Sequence, residues 1–286
     1  MIYAYFYRIE YSEKCSFYKR NFRNQLIKLV DISEKLERCN EIEKADIVFT
    51  IGDFVNDSEL VGKKLVVYSL QDNSFTNQEI IYNKNVLFIV DHCKICNGAN
   101  EDYNKKVVCL LNISELYKNK YQSEVLPLSQ RKYDIVFMGT TQYDEKITKH
   151  RLDVIKNIEE VCSKNNLQCY TSNAPIKYSK YMNILNNTKI FISPYGWGEF
   201  SLKEYECICF GVHIVKPKIY FQYYPDYCAN MDDFEIDFSN FESKILDILA
   251  NLDNAQKKVE NNRKMFLDYC VNKHLAELEN KILDLI

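Results

Sequence analysis

Apolar residues fall into short continuous runs separated by stretches with helical spacing. In the first half the runs occupy residues 2–7, 46–51, 64–69, 86–91 and 107–111, and they are rich in aromatic and β-branched side chains. Continuous rather than alternating apolar character suits strands covered on both faces, so the pattern predicts a parallel sheet flanked by helices. Residues 17–29 repeat apolar positions at helical spacing between the first two runs. The strand signal stops after 111, and the polar segment 121–132, YQSEVLPLSQRK, reads as a linker around Pro127. A second series then predicts a strand at 133–138, a helix over 147–163, a strand at 167–170 and a helix near 180–185. A strand at 190–193 follows, then a further helix and strand ending at Lys216. From about residue 241 the chain is helical, ending in HLAELENKILDLI. The expected fold class is α/β: two Rossmann-like domains facing a cleft, 1–128 and 129–286, with the last helix packing back toward the first domain.

Composition narrows the function classes. The 286 residues suffice for two domains that each bury a core, and 47% hydrophobic with 27% charged residues is globular usage. A net charge of −3 and a pI near 5.9 lack the basic footprint of general nucleic-acid binding. No nucleic-acid partner is expected on that ground, and a bound anion would need a local pocket. The chain opens without a basic leader and has no apolar run of spanning length, which predicts no transmembrane segment and a cytoplasmic location. Eleven cysteines, an odd count scattered through apparent helices and strands, read as reduced thiols. The CxxC at Cys93 and Cys96 has no second CxxC at zinc-finger spacing, so no metal site is expected. No GxGxxG follows the first strand, which disfavours a dinucleotide-dependent oxidoreductase.

The chemistry concentrates in residues 189–217, KIFISPYGWGEFSLKEYECICFGVHIVKP. The segment reads as strand, loop, helix, turn and strand, the spacing of a right-handed βαβ unit. Ser201 and Glu204 stand as a capping box, and Gly211 stands where a helix C-terminus favours positive φ. The chain has only seven glycines, and Gly139, Gly196, Gly198 and Gly211 all fall at strand–helix or helix–strand junctions of the second half. A helix opening from such a loop presents free amides and the positive end of its dipole, a natural anion site. Lys203 adds a full charge in the first turn, against the dipole, which an anionic ligand would compensate. Glu206, about one turn deeper, offers a carboxylate able to accept both hydroxyl protons of a ribose.

This segment resembles the donor-binding region of GT-B glycosyltransferases, in particular the bacterial, viral and exostosin-like group with an SP-x-G-x-G-E…E…G pattern. RKYDIVFMGTT at 131–141 and the pair His150 and Arg151 resemble the opening strand, phosphate loop and first helix of that domain. In the first half, EKADIVFT at 43–50 is similar to the family as well. Two departures stand out: Glu199 and Glu206 lie seven positions apart instead of eight, and exostosin-like members carry arginine where Lys203 stands. The resemblance implies a hexosyl- or pentosyltransferase that moves a sugar from a nucleotide-sugar donor, with a UDP-sugar favoured, to a hydroxyl of a glycan or glycoconjugate acceptor. It implies Glu206 on the ribose, Lys203 and Arg151 on the diphosphate, and amides near Gly139, Thr140 and Gly198 on its oxygens. Ser201 would cap the helix at that site, and Tyr195, Trp197 and Glu199 would border the sugar or the base.

No cofactor is expected beyond the nucleotide-sugar co-substrate. The chain has no DxD triplet, and lysine, arginine and a helix dipole can neutralise a diphosphate without a metal. An inverting enzyme of this kind takes its base from a loop at the C-terminal edge of the first sheet. Asp72 in SLQDNSF is the first candidate and His92 the second, although either residue type also serves as a loop cap. The alternatives are a catalytically inactive nucleotide-sugar or glycan-binding module, or another GT-B-fold enzyme such as an epimerase.

Overall fold

The computed structural model describes residues 1–8, 17–51, 54–68, 80, 82–91, 93–95, 107–109, 120–122, 124–196, 199–223, 226–271 and 273–285. The chain divides into two compact units. The first comprises Met1–Lys118, Tyr220–Pro225 and Asp268–Ile286, and the second Asn119–Ile219 and Asp226–Leu267.

In the first unit, strands β1 (Ile2–Phe6), β2 (Leu36–Arg38), β3 (Ile47–Ile51), β4 (Leu65–Tyr68), β5 (Val86–Asp91) and β7 (Val107–Cys109) form one parallel sheet in the order β2-β1-β3-β4-β5-β7. Strand β6 (Cys93–Ile95) pairs antiparallel with β12 (Phe221–Tyr223). Val48, Leu65, Val67 and Ile89 are buried, as continuous apolar strands in a covered sheet require. Helix α1 (Phe17–Ile32) turns Leu26, Leu29 and Val30 inward, three and four residues apart. The chain's last helix, α7 (His274–Leu285), belongs to this unit. It buries Leu275, Leu278 and Ile282, contacts α1, and accepts a hydrogen bond on Glu279 from the Ser33 hydroxyl.

The second unit is built on β8 (Tyr133–Met138), β9 (Cys169–Ser172), β10 (Thr188–Ile192), β11 (His213–Pro217) and β13 (Asp232–Phe234), all parallel, in the order β13-β11-β10-β8-β9. Around it lie α2 (Glu145–Asn165), α3 (Tyr178–Asn186), α4 (Leu202–Cys209), α5 (Phe241–Ala250) and α6 (Leu252–Met265). Helix α2 starts where the Asp144 side chain accepts from the Ile147 amide (2.9 Å) and stops at Asn166, which takes the left-handed conformation (φ 53°). Its inward face carries Arg151, Val154, Ile158, Val161 and Cys162, of which the apolar members pack with Ile135, Phe137, Ile190, Ile192 and Val215 of the sheet.

Segment 121–132, read from sequence as a linker, folds into this second unit. Leu128 is buried in its core, and buried Arg131 donates to the carbonyls of Leu126, Thr188 and Phe210. Leu128 lies in a mostly polar stretch with no periodicity to reveal it. Strands β2, β6, β12 and β13, three residues each, were likewise absent from the pattern. No helix among the described residues is long and apolar enough to cross a membrane.

Candidate functional site

The candidate residues of the second unit gather at the C-terminal edge of its sheet, the edge on which open α/β sheets bind ligands. There β8 ends at Met138 and runs into Gly139, while the neighbouring β10 ends at Ile192 and runs through Ser193 and Pro194 to Tyr195. Helix α4 then opens on Ser201. Its capping box is complete: the Ser201 side chain accepts from the first-turn backbone, and Glu204 accepts from the Ser201 amide at 2.9 Å.

Two cations converge beside this helix end. Arg151, 5% exposed, donates from Nε to the Tyr195 carbonyl (2.7 Å), from Nη1 to the Thr140 carbonyl (2.8 Å) and from Nη2 to the Pro194 carbonyl (3.4 Å). Its guanidinium lies 4.6 Å from the centroid of the Tyr143 ring. The Lys203 ammonium donates to the Met138 carbonyl. Both reach the same point in space, the position a side chain on Gly139 would occupy. A Cβ there would collide with Lys203 Nζ and lie 3.2 Å from Arg151 Nη1.

Burial and the Arg151 charge together pull the Lys203 amine down from its ordinary range to about 8. Among the described residues no carboxylate lies within ion-pair distance of either cation; their hydrogen-bond partners are backbone carbonyls.

The two carboxylates of α4 are engaged elsewhere. Glu204, 1% exposed, pairs with the fully buried ammonium of Lys216 and accepts from the Ser193 hydroxyl (2.7 Å) and the Ser201 hydroxyl. Burial alone would raise its carboxyl, but Lys216, helped by Ser201 and Ser193, overrides that and holds it below the usual carboxylate range. Glu206, 8% exposed, accepts from the Tyr181 hydroxyl on one oxygen (2.7 Å) and from the Lys120 ammonium on the other (3.2 Å). At the far end of α4, Arg263 donates to the Cys209 carbonyl (2.7 Å) and Arg131 to the Phe210 carbonyl (2.9 Å), and Gly211 takes φ +63°.

Gly139, Thr140, Arg151, Tyr195, Ser201, Lys203 and Glu206 therefore all lie around this sheet edge, some in roles other than those expected. The Gly139 amide is spent on the Ser172 carbonyl (2.9 Å), so this glycine serves by lacking a side chain. Thr140 gives its carbonyl to Arg151, and its hydroxyl accepts from the Gln142 amide at 3.0 Å. The Tyr195 hydroxyl turns to the Lys218 carbonyl, its ring 5.6 Å from that of His150. Burial and the adjacent Arg151 pull the His150 imidazole down to about 4, so it is neutral at physiological pH. Glu199 is half-buried in the turn before the cap. Trp197, Gly198, Asp72 and His92 lie outside the described residues.

Sequence reading missed Lys120, Tyr181, Ser193 and Lys216. Only Lys216 left a signal, as a lysine inside the apolar strand HIVKP, where a buried charge requires a partner. Among the described residues no group of three or more His, Cys, Asp or Glu is arranged to hold a metal ion.

No family model matches the chain, and no curated protein sequence matches it. Solved structures do. The chain is similar to TarM (TM-score 0.52, 15% identity, over 94% of this chain and 58% of that one). It is similar to an alpha-glucosyltransferase in complex with UDP and a 13-mer DNA containing a HMU base (TM-score 0.51, 12% identity, 99% of each chain). It is also similar to the E. coli trehalose-6-phosphate protein bound with UDP-2-fluoro glucose (TM-score 0.52, 9% identity, 94% of this chain and 78% of that one). The chain thus spans little more than half of TarM and the whole length of the glucosyltransferase. That glucosyltransferase is in complex with DNA, and the exclusion of nucleic acid drawn from net charge gains no support from these structures. With two α/β units on parallel sheets and these structural neighbours, the chain has the fold of GT-B glycosyltransferases.

Proposed function

We propose that the chain is a glycosyltransferase whose second unit binds a nucleotide-sugar donor, a UDP-sugar first among the candidates, and passes its sugar to a hydroxyl acceptor of the glycan class. The observation that carries the reading is the pair of cations, half-buried Lys203 and buried Arg151, converging on Gly139 without a carboxylate partner among the described residues. Two positive charges in a half-dry pocket at a helix N-terminus are costly unless an anion completes the site. A diphosphate has the charge and size to do so.

Glu206, one helical turn along, takes the ribose, as a carboxylate accepts two hydroxyl protons. As the glycosidic bond breaks, negative charge grows on the departing diphosphate, where Lys203, Arg151 and the α4 dipole stabilise it. This chemistry needs no metal or further cofactor in our reading. The acceptor base, Asp72 or His92, is carried over from the sequence, as is the inverting outcome.

Calorimetry with UDP tests the donor site directly. Lys203→Ala should weaken UDP binding about ten- to a hundred-fold while affecting uridine less, and Glu206→Gln should weaken both. Unchanged UDP affinity in both folded variants would place the donor elsewhere. Slow hydrolysis of a UDP-sugar without acceptor, lost in the Asp72→Asn variant, would support an enzyme over a binding module.

A further inference from the structure

Lys120 does not come from a strand or helix of the second sheet. It stands at the start of the second unit, in a short irregular stretch tied along α4. The Gln122 amide donates to the Cys209 carbonyl (3.3 Å), its carbonyl accepts from Arg263, and the Tyr121 ring stacks on Phe266 at 5.9 Å beneath the Arg263 guanidinium. These contacts fix the backbone and bring the Lys120 ammonium to Glu206 Oε1.

The two partners of Glu206 differ in how firmly they are held. Tyr181 is 8% exposed on the inner face of α3 and meets Glu206 Oε2 with a short stiff side chain. Lys120 reaches Oε1 on a flexible four-carbon stem, its side chain 28% exposed, with the ammonium 5.1 Å from the centroid of the exposed Tyr178 ring. A carboxylate this buried needs its acceptors filled. Lys120, the more exposed of the two partners, fills Oε1.

We propose that Lys120 is the displaceable partner of Glu206, yielding Oε1 to a ribose hydroxyl of the donor and thereby setting both the affinity for ribonucleotides and their discrimination from analogues lacking the diol. The inference rests on the donor reading of the site. Tyr181 stays bonded through the exchange, so one carboxylate oxygen is always held, and the lysine keeps the Tyr178 ring, 5.1 Å from its ammonium, as a remaining partner.

The test is calorimetry on the full chain with UDP and 2′,3′-dideoxy-UDP, comparing wild type with Lys120→Met and Lys120→Gln. Removing the competing ammonium should tighten UDP binding about tenfold in Lys120→Met and by less in Lys120→Gln, which keeps a donor for Oε1. Binding of the dideoxy analogue should not change. Thermal unfolding verifies the fold, and Lys120→Gln carries the test if the methionine variant does not fold. UDP affinity that is unchanged or weaker, or an equal gain for both ligands, would overturn this inference while leaving the donor site in place. Failure of wild type to bind UDP at all would overturn the donor reading and this inference with it.

Discussion

The Glu204–Lys216 pair under the first turn of α4 offers the sharpest test of how the site is supported. Lys216→Met keeps the stem and removes the ammonium, leaving Glu204 buried with hydrogen bonds from Ser193 (2.7 Å), the Ser201 amide (2.9 Å) and the Ser201 hydroxyl. Breaking one side of a buried ion pair costs about 3–5 kcal/mol. With three donors still on the carboxylate, Lys216→Met belongs near the lower end of that range. Glu204→Gln strands the lysine instead. Its other partners are the Ser193 carbonyl at 3.3 Å and the Phe200 ring at 5.9 Å, and the single amide oxygen of the glutamine must serve either the lysine or the capping box, so this variant belongs near the upper end.

The double variant Glu204→Gln/Lys216→Met removes both charges. It should lose less than the sum of the singles, with a coupling of roughly 2 kcal/mol or more. Scanning calorimetry is the suitable assay because it resolves units that unfold separately, and each kcal/mol corresponds to about 2–4 °C in a domain of this size. The pair also has a pH signature. Glu204 is held below the usual carboxylate range, so its contribution is present above the unfolded carboxyl pKa and is lost as pH falls through the folded one. Losses under about 1 kcal/mol in both singles, or strict additivity in the double, would refute the reasoning.

Other expectations follow from the same edge of the sheet. Because the Lys203 amine sits near 8 in the free protein and an anion favours its charged form, UDP binding at pH 8 should take up about half a proton and weaken as pH rises further. Calorimetry in buffers of different ionisation enthalpy reads this directly, and zero uptake would remove Lys203 from the diphosphate. Gly139→Ala should displace the Lys203 ammonium and reduce UDP affinity about tenfold or more with the circular dichroism spectrum retained. Gly211→Ala forces a side chain into the left-handed region, 2.9 Å from Val125 Cγ2 and 3.3 Å from Arg131 Nη2, and should cost at least about 1–2 kcal/mol in denaturant unfolding.

What was legible in the sequence was local. Continuous apolar runs announced β1, β3, β4, β5, β8 and β10, and the Ser201/Glu204 spacing announced the cap that the structure contains. The scarcity of glycine pointed to Gly139 and Gly211, although the reason at Gly139 is the passage of Lys203 Nζ and not a free amide. What was not legible depends on contacts between residues far apart in the chain. Tyr181 and Lys120 meet Glu206 from positions 25 and 86 residues away, and no spacing rule connects them. Arg131 sat in a segment read as linker, yet it bonds carbonyls 57 and 79 residues distant. Such partners become visible only once strand order brings their elements side by side.

The electrostatics of α4 bear on the proposed donor site. Its C-terminal carbonyls are met by Arg131 and Arg263, fixed positive groups at the negative end of the dipole. Its two carboxylates each have an internal cation, Lys216 for Glu204 and Lys120 for Glu206. At its N-terminus, where the dipole is positive, Glu204 fills the capping box but is neutralised by Lys216. Beside it stand Lys203, whose amine is pulled down by burial and by the Arg151 charge, and buried Arg151, and among the described residues their hydrogen-bond partners are backbone carbonyls. In the proposed donor site, a diphosphate entering over Gly139 would bring to these two cations the negative charge that no carboxylate within ion-pair distance supplies among the described residues.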